Sequence, residues 1–213
     1  YHMIEKLTPR DIESQSKRKK IAQAALELFK LYGYENTTIA DISKACGMSS
    51  GSIYHFFGSK EGLLSTIGGD TITAFTDVEI SREHWEEKLD TPVETITTLV
   101  LEAVHQWETI GADLVLRMRG FFVDAYCDDV TLTVSPSYKP YVSLIEFLEA
   151  CQQRGTVDAG PSATYIASFL NSICHGLLLE WCHFQGRYSL HEKVADYLPR
   201  IMASFINGKS SKA

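Results

Sequence analysis

Thr37–Leu64 reads TTIADISKACGMSSGSIYHFFGSKEGLL, and the spacing of its apolar and small residues decides the architecture. Thr38-x-x-Asp41 sets an N-cap hydroxyl three residues before an acidic group, which opens a short helix to about Cys46. Gly47-Met48-Ser49 is a three-residue turn, a second short helix spans Ser50 to Phe57, and Ser59 caps a further helix from Lys60. A short helix, a glycine turn and a second short helix is helix-turn-helix spacing. The major groove of DNA admits one α-helix, and the first helix of such a pair holds the second at its angle. Ile39, Ile42, Ala45, Met48, Ile53 and Phe57 fall on an inner face, leaving Ser43, Lys44, Ser50, Ser52, Tyr54 and His55 outside.

Working outward, Ile21, Ala25, Leu28, Phe29 and Tyr32 recur with helical spacing and predict an amphipathic helix over 15–32, ended by Gly33. The run Lys17-Arg18-Lys19-Lys20 reads as a solvated helix start or as a contact to DNA phosphate or minor groove. Downstream, Thr91-Pro92-Val93-Glu94 predicts a capping box and a helix to about Ile110. Leu114–Tyr126 is apolar with two arginines, Asp128–Pro136 is a loop, Tyr138–Gln153 is helical, and Gly155–Pro161 is punctuation. Ser162–Phe184 and a helix opened by the box Ser189-x-x-Glu192, running to about Ile206, close the chain. No strand-like alternation and no repeat interrupts this pattern, so the fold class is all-α. The expected division is 1–14 as tag remnant (Tyr1, His2) and amino-terminal arm, 15–60 as helix-turn-helix domain, and 61–213 as a second helical domain.

The 213 residues are enough to bury a core without staples, and no run reaches the roughly 18 apolar residues of a membrane span. Five scattered cysteines without a C-x-x-C pair fit reduced thiols in a cytoplasm. The net charge of −7 is uneven: residues 1–66 hold nine Lys/Arg against seven Asp/Glu, and 67–213 hold eleven against twenty. Global acidity is therefore no argument against an anionic partner for the amino-terminal part.

Taken as a whole, TTIADISKACGMSSGSIYHFFGSKEGLL resembles the DNA-binding domain of TetR-family (TetR/AcrR-like) transcriptional repressors, with the match covering about residues 16–65. The resemblance implies an all-α homodimer with a three-helix DNA-binding head and a carboxy-terminal ligand-binding and dimerisation body. It implies that Thr38 caps the second helix and touches a phosphate, and that Gly47 is the turn glycine. Gly51 is then the small residue allowing close approach to DNA, Tyr54 and His55 bond phosphates, and Lys60 reaches phosphate beside a helix N-terminus. Ser50 stands where many members carry lysine, and Gly58 where many carry proline. Ser49, Ser50 and Ser52, with Lys44, complete the expected DNA face, and such short side chains leave specificity to two-fold spacing and DNA shape.

A head that reads a palindrome needs two copies about one DNA turn (~34–36 Å) apart. The apolar stripes of the last two helices, Ile166, Leu170, Ile173, Leu177 and Trp181 with Val194, Leu198, Ile201 and Phe205, are the expected two-fold four-helix interface. The resemblance puts a ligand cavity between, and His105, Trp107, Arg117, Phe121, Phe122, Tyr126, Tyr141 and Phe169 are its expected lining. An acidic, aromatic-rich body favours a hydrophobic or cationic effector. Gly62, Gly68 and Gly69 fall in the helix from Lys60 and would let it bend.

Cys174-His175 and Cys182-His183 lie about 12 Å apart along one helix, too far to share one zinc. Neither a metal site nor a cofactor is expected. The sequence holds no G-x-S-x-G, H-E-x-x-H, P-loop or G-x-G-x-x-G set, so enzymatic turnover is not expected. The rival reading is a helical ligand- or partner-binding protein whose head no longer binds DNA specifically.

Overall fold

A computed structural model of the chain describes residues 8–74, 85–118 and 139–206. Among these residues the regular structure is helical, with no strand beyond one isolated antiparallel bridge between Val157 and Ile206. The expected loop Asp128–Pro136 and the positions Tyr1, His2, Phe75, Phe121, Phe122, Tyr126 and Tyr138 lie outside the described residues. The chain divides into two compact units, Tyr1–Asp70 and Thr71–Ala213.

In the first unit, α1 (Pro9–Tyr32) begins with a reciprocal capping box between Thr8 and Asp11. Residues from Pro9 to 14, expected in the arm, are therefore helix. The early turns carry charge without an apolar stripe, so periodicity alone misses them. Ile21, Ala25 and Phe29 are buried as their spacing predicts, whereas Tyr32 at the end of the row is 62% exposed.

α2 (Ile39–Cys46) and α3 (Ser50–Phe57) follow. The inner row of α2 is Ile39, Ile42 and Cys46. Ala45, expected inside, is exposed, because Cys46 completes the i, i+3, i+7 row that Ala45 leaves. Gly47 adopts a left-handed φ of 68° between the helices, which non-glycine residues reach only at a cost.

α4 (Lys60–Ala74) continues as helix through Gly68 and Gly69. Leu63, Leu64 and Ile67 are buried. The start of α4 thus belongs to the head's core, which is why the first unit runs to Asp70 and not to 60. At Gly62 the reason for glycine is contact: an added Cβ would clash with the carbonyl oxygen of Phe57, the last residue of α3.

The second unit contains α5 (Trp85–Lys88), α6 (Pro92–Ile110), α7 (112–118), α8 (Lys139–Arg154), α9 (Ala163–His183) and α10 (Leu190–Met202). A 3-10 turn, Ala203–Phe205, ends it. α10 packs chiefly on α6, and α8 on α9. Ile96, Val104, Phe147, Leu148, Ile166, Leu178, Leu190 and Met202 are almost wholly buried in their core.

Thr91 makes no side-chain cap, because its backbone (φ −129°, ψ 54°) leaves the extended region that aims a cap hydroxyl at the first turn. Ser189 does cap, accepting from Glu192 N at 3.1 Å. Glu108 of α6 adds two further bonds at this end, accepting from Ser189 Oγ (3.3 Å) and His191 N (3.2 Å). A carboxylate at that helix start complements the partial positive charge of its N–H groups.

Gly62→Ala gives the fold a test of sign. An ordinary helical Gly→Ala stabilises by up to about 1 kcal/mol, but here overpacking against a backbone carbonyl should destabilise by roughly 1–3 kcal/mol or more. Urea denaturation of the two proteins measures it, and an equal or higher midpoint for the variant would exclude the close approach.

Candidate nucleic-acid interface

Three local devices fix the α2–α3 pair. Thr38 Oγ1 accepts from Asp41 N (3.2 Å), while Asp41 Oδ2 accepts from Thr38 N (2.9 Å) and from the Thr38 hydroxyl (2.6 Å). Those bonds from Thr38, the hydroxyl first, hold the Asp41 carboxyl below the usual carboxylate range. Ser43 Oγ donates to the carbonyl of Met48 across the turn. Ser49 caps α3, its Oγ accepting from Ser52 N at 3.1 Å and paired with Ser52 Oγ at 2.9 Å.

α3 buries Ile53 and Phe57 and turns the opposite side outward. Ser49, Gly51, Tyr54 and His55 are exposed and Ser50 and Ser52 half-exposed, so these expected positions share one accessible surface. Tyr54 is 52% exposed. Among the described residues nothing demands glycine at 51. An added Cβ would meet Ser49 Oγ at an ordinary 3.8 Å.

Two expected phosphate ligands are arranged differently. The Thr38 hydroxyl proton already goes to Asp41, so the residue caps α2 and offers an incoming phosphate no proton unless that bond opens. Lys60 faces inward: its Nζ donates to the carbonyls of Tyr34 (2.6 Å) and Thr37 (2.8 Å) and stands 4.1 Å from the Tyr34 ring centroid. Local sequence gives no sign of this, since those acceptors lie more than twenty residues away.

Of the basic run, Lys17 pairs with Glu13 at 2.7 Å and Arg18 lies over the Phe57 ring at 5.4 Å, while Lys19 and Lys20 are exposed. Lys44 is exposed and lines a groove of about 660 Å³ with Leu28, Tyr32, Asn36, Thr37, Asp41 and Ala45. That groove was not foreseen, and exposed Tyr32 at the end of an otherwise buried row is its signal.

In the second unit, exposed His105 lines an open cavity of about 480 Å³ with Thr98, Leu101, Glu102, Gln106 and His191. Trp107 is half-buried on the same helix. Arg117 is held by Asp113 at 3.0 Å. Phe121, Phe122 and Tyr126 lie outside the described residues, as does the side chain of Tyr141. Phe169 is 40% exposed, stacked on Tyr165 (6.4 Å, 7°) and edge-on to Phe205 (5.7 Å). Among the described residues no group of three His, Cys, Asp or Glu is arranged for a metal ion.

The expected interface stripe needs correction for a related reason. Ile166, Leu170, Trp181, Val194 and Leu198 are at most 3% exposed within a single chain, so they are core. Ile173, Leu177, Ile201 and Phe205 are half-buried. The outward side of α9 instead carries Tyr165, Phe169 and Leu179, and α10 adds Tyr197, all at least 39% exposed.

A family model described as "Bacterial regulatory proteins, tetR family" matches residues 21–67, the span of the buried α1 row, α2, α3 and the start of α4. The regulator UidR of Escherichia coli K12 is 25% identical over 174 residues, covering 79% of this chain and 83% of that protein. The Thermus thermophilus repressor FadR, solved with lauroyl-CoA, superposes with a TM-score of 0.59 at 22% identity, covering 92% of this chain and 98% of that one. NalD, the secondary repressor of an efflux pump in Pseudomonas aeruginosa, gives 0.51 at 19% identity over 92% and 99%. The capped α2, the left-handed glycine turn and the α3 with one outward polar row all lie inside residues 21–67, the span that matches the tetR-family model of bacterial regulatory proteins.

Proposed function

We propose that the protein is a ligand-responsive transcriptional regulator, most simply a repressor, that binds a palindromic operator in the cytoplasm as a homodimer. It has no catalytic role. The observation that carries the DNA-binding reading is the outward row of α3, where Ser49, Gly51, Tyr54 and His55 are accessible while Ile53 and Phe57 anchor the helix. Tyr54, His55 and Lys44 supply donors to phosphate, which set register rather than sequence. Ser50 and Ser52 face bases with short hydroxyls, so discrimination rests on half-site spacing and DNA shape.

Dimerisation is assigned to the outer side of α9 and α10. Tyr165, Phe169, Leu179 and Tyr197 expose apolar surface there, and an added Cβ at Gly176 would meet none of the described residues within 4 Å. Ile173, Leu177, Ile201 and Phe205 border this side. The effector is a small hydrophobic or cationic molecule held by the second unit, and it releases DNA through unequal affinity for two states of the dimer. Among the described residues no helix is long and apolar enough to cross a membrane, and no membrane role is proposed.

Selection of bound fragments from random DNA tests the reading: a palindrome should be enriched, and no enrichment at low salt would favour the rival ligand- or partner-binding protein. On the enriched site, Gly51→Ala should bind about tenfold more weakly, ~1.4 kcal/mol, while its melting temperature stays level or rises. Equal binding would remove Gly51 from the interface. Phe169→Glu, on an exposed position, should keep the helical content and convert the dimer to monomer in sedimentation. A persistent dimer would move the interface elsewhere.

A further inference from the structure

We propose that Lys60 is a positioning residue of the head, which sets the turn before α2, and is not a phosphate ligand. The proposal rests on the DNA-binding reading above for its consequence, but its geometry stands without it. An ammonium has three protons and no acceptor. Two are directed to the carbonyls of Tyr34 and Thr37, at 2.6 and 2.8 Å, and the group lies 4.1 Å from the Tyr34 ring centroid. Two of its three protons face those acceptors and its charge faces a ring, so its contacts are directed into the head.

What this ammonium holds is the turn from Tyr34 to Thr37, closed by Thr37 N donating to the Tyr34 carbonyl at 3.3 Å. Thr38, the N-cap of α2, is the next residue. The turn is gripped from its other side as well. Thr37, only 2% exposed, donates its hydroxyl to the Gly33 carbonyl at 2.9 Å. The Tyr34 ring packs on Phe29 with centroids 5.1 Å apart, and its hydroxyl donates to Glu61 Oε1 at 3.3 Å.

The first turn of α4 therefore fixes where α2 starts, while Gly62 meets the carbonyl that ends α3. Lys60 ties α2 and Gly62 ties α3 to one short piece of helix. Affinity for DNA then depends on Lys60 through the placement of α2 and α3, and the number of phosphates neutralised does not.

The test uses the full-length protein with Lys60→Met, Lys60→Arg and Tyr34→Leu. Hydrogen exchange without DNA should speed up by tenfold or more at the amides of Thr37–Ile42, with α1 keeping wild-type protection. Unchanged exchange, or protection lost through the whole head, would overturn the proposal. On the selected operator, Lys60→Met should bind at least tenfold more weakly with the wild-type dependence of log affinity on log salt. A phosphate ligand on each of the two heads would instead lower that slope by about 1.8, roughly 0.9 per phosphate, and such a fall would overturn it.

Lys60→Arg keeps the charge and a phosphate reach, but its guanidinium does not reproduce a compact ammonium between two carbonyls and a ring. It should stay at least fivefold weak, and full rescue would argue for phosphate contact. If Lys60→Met does not fold, Tyr34→Leu decides, since it removes the ring and no charge. Faster exchange at the turn and weaker binding at an unchanged slope are expected, and wild-type behaviour in both refutes the latch. If wild type enriches no DNA, the regulator reading fails and the exchange result alone judges Lys60.

Discussion

The close approach of α4 to the end of α3 is the constraint on which the head depends. Between the two helices stand only Gly58 and Ser59, with φ of 73° at Gly58. Ser59 Oγ accepts from Gly62 N at 3.0 Å, and Gly62 leaves room for the Phe57 carbonyl. A backbone-to-backbone contact has none of the slack that a side-chain layer gives. Once α3 is held at that angle, Ile53 and Phe57 must point inward and Tyr54 and His55 outward, because helical periodicity permits no other choice. The outward row follows from a carbonyl that has no Cβ to avoid.

This arrangement changes how a weakly charged head meets a polyanion. Lys60 and Arg18 lie on aromatic rings, Lys17 on a carboxylate, and Asp41 brings a negative charge to the first turn of α2. Internal pairing thus removes several cations that a count of charges would assign to DNA. The donors left on the outer surface are hydroxyls, an imidazole, Arg10 and a few lysines. A hydroxyl contact releases no counterion, so in the proposed complex shape and two-fold spacing would carry more of the recognition.

Much of this was legible in the sequence where the determinants are local. Caps and turns act over three or four residues, so Thr38 with Asp41, Gly47 and Ser59 stand where the sequence places them. What escaped it acts at long range or is masked by composition. The first turns of α1 carry charge in place of an apolar stripe, the bond partners of Lys60 come from a distant turn, and the N-terminus of α10 is completed by Glu108. Thr91 shows the opposite failure, since a perfect motif fails when tertiary packing turns its backbone away. At the DNA face, the sequence identified which residues point outward, but not which of their protons were already engaged.

The helix α9 shows why periodicity alone leaves an interface undecided. Its 21 residues are apolar around most of the circumference, and sequence pattern groups residues by face without saying which face meets the chain's own core. Burial separates them: Ile166, Ala167, Leu170, Leu178 and Trp181 turn inward, while Tyr165, Phe169 and Leu179 do not. Ser172 and Gly176 lie among the outward residues at helical spacing, between the aromatic pair and Leu179. With large groups at the ends and small ones in the middle, this stripe has the relief that the proposed two-fold pairing of α9 needs. The residues that look most like an interface by hydrophobicity belong to the chain's own core, and the proposed interface falls on the weaker outer stripe.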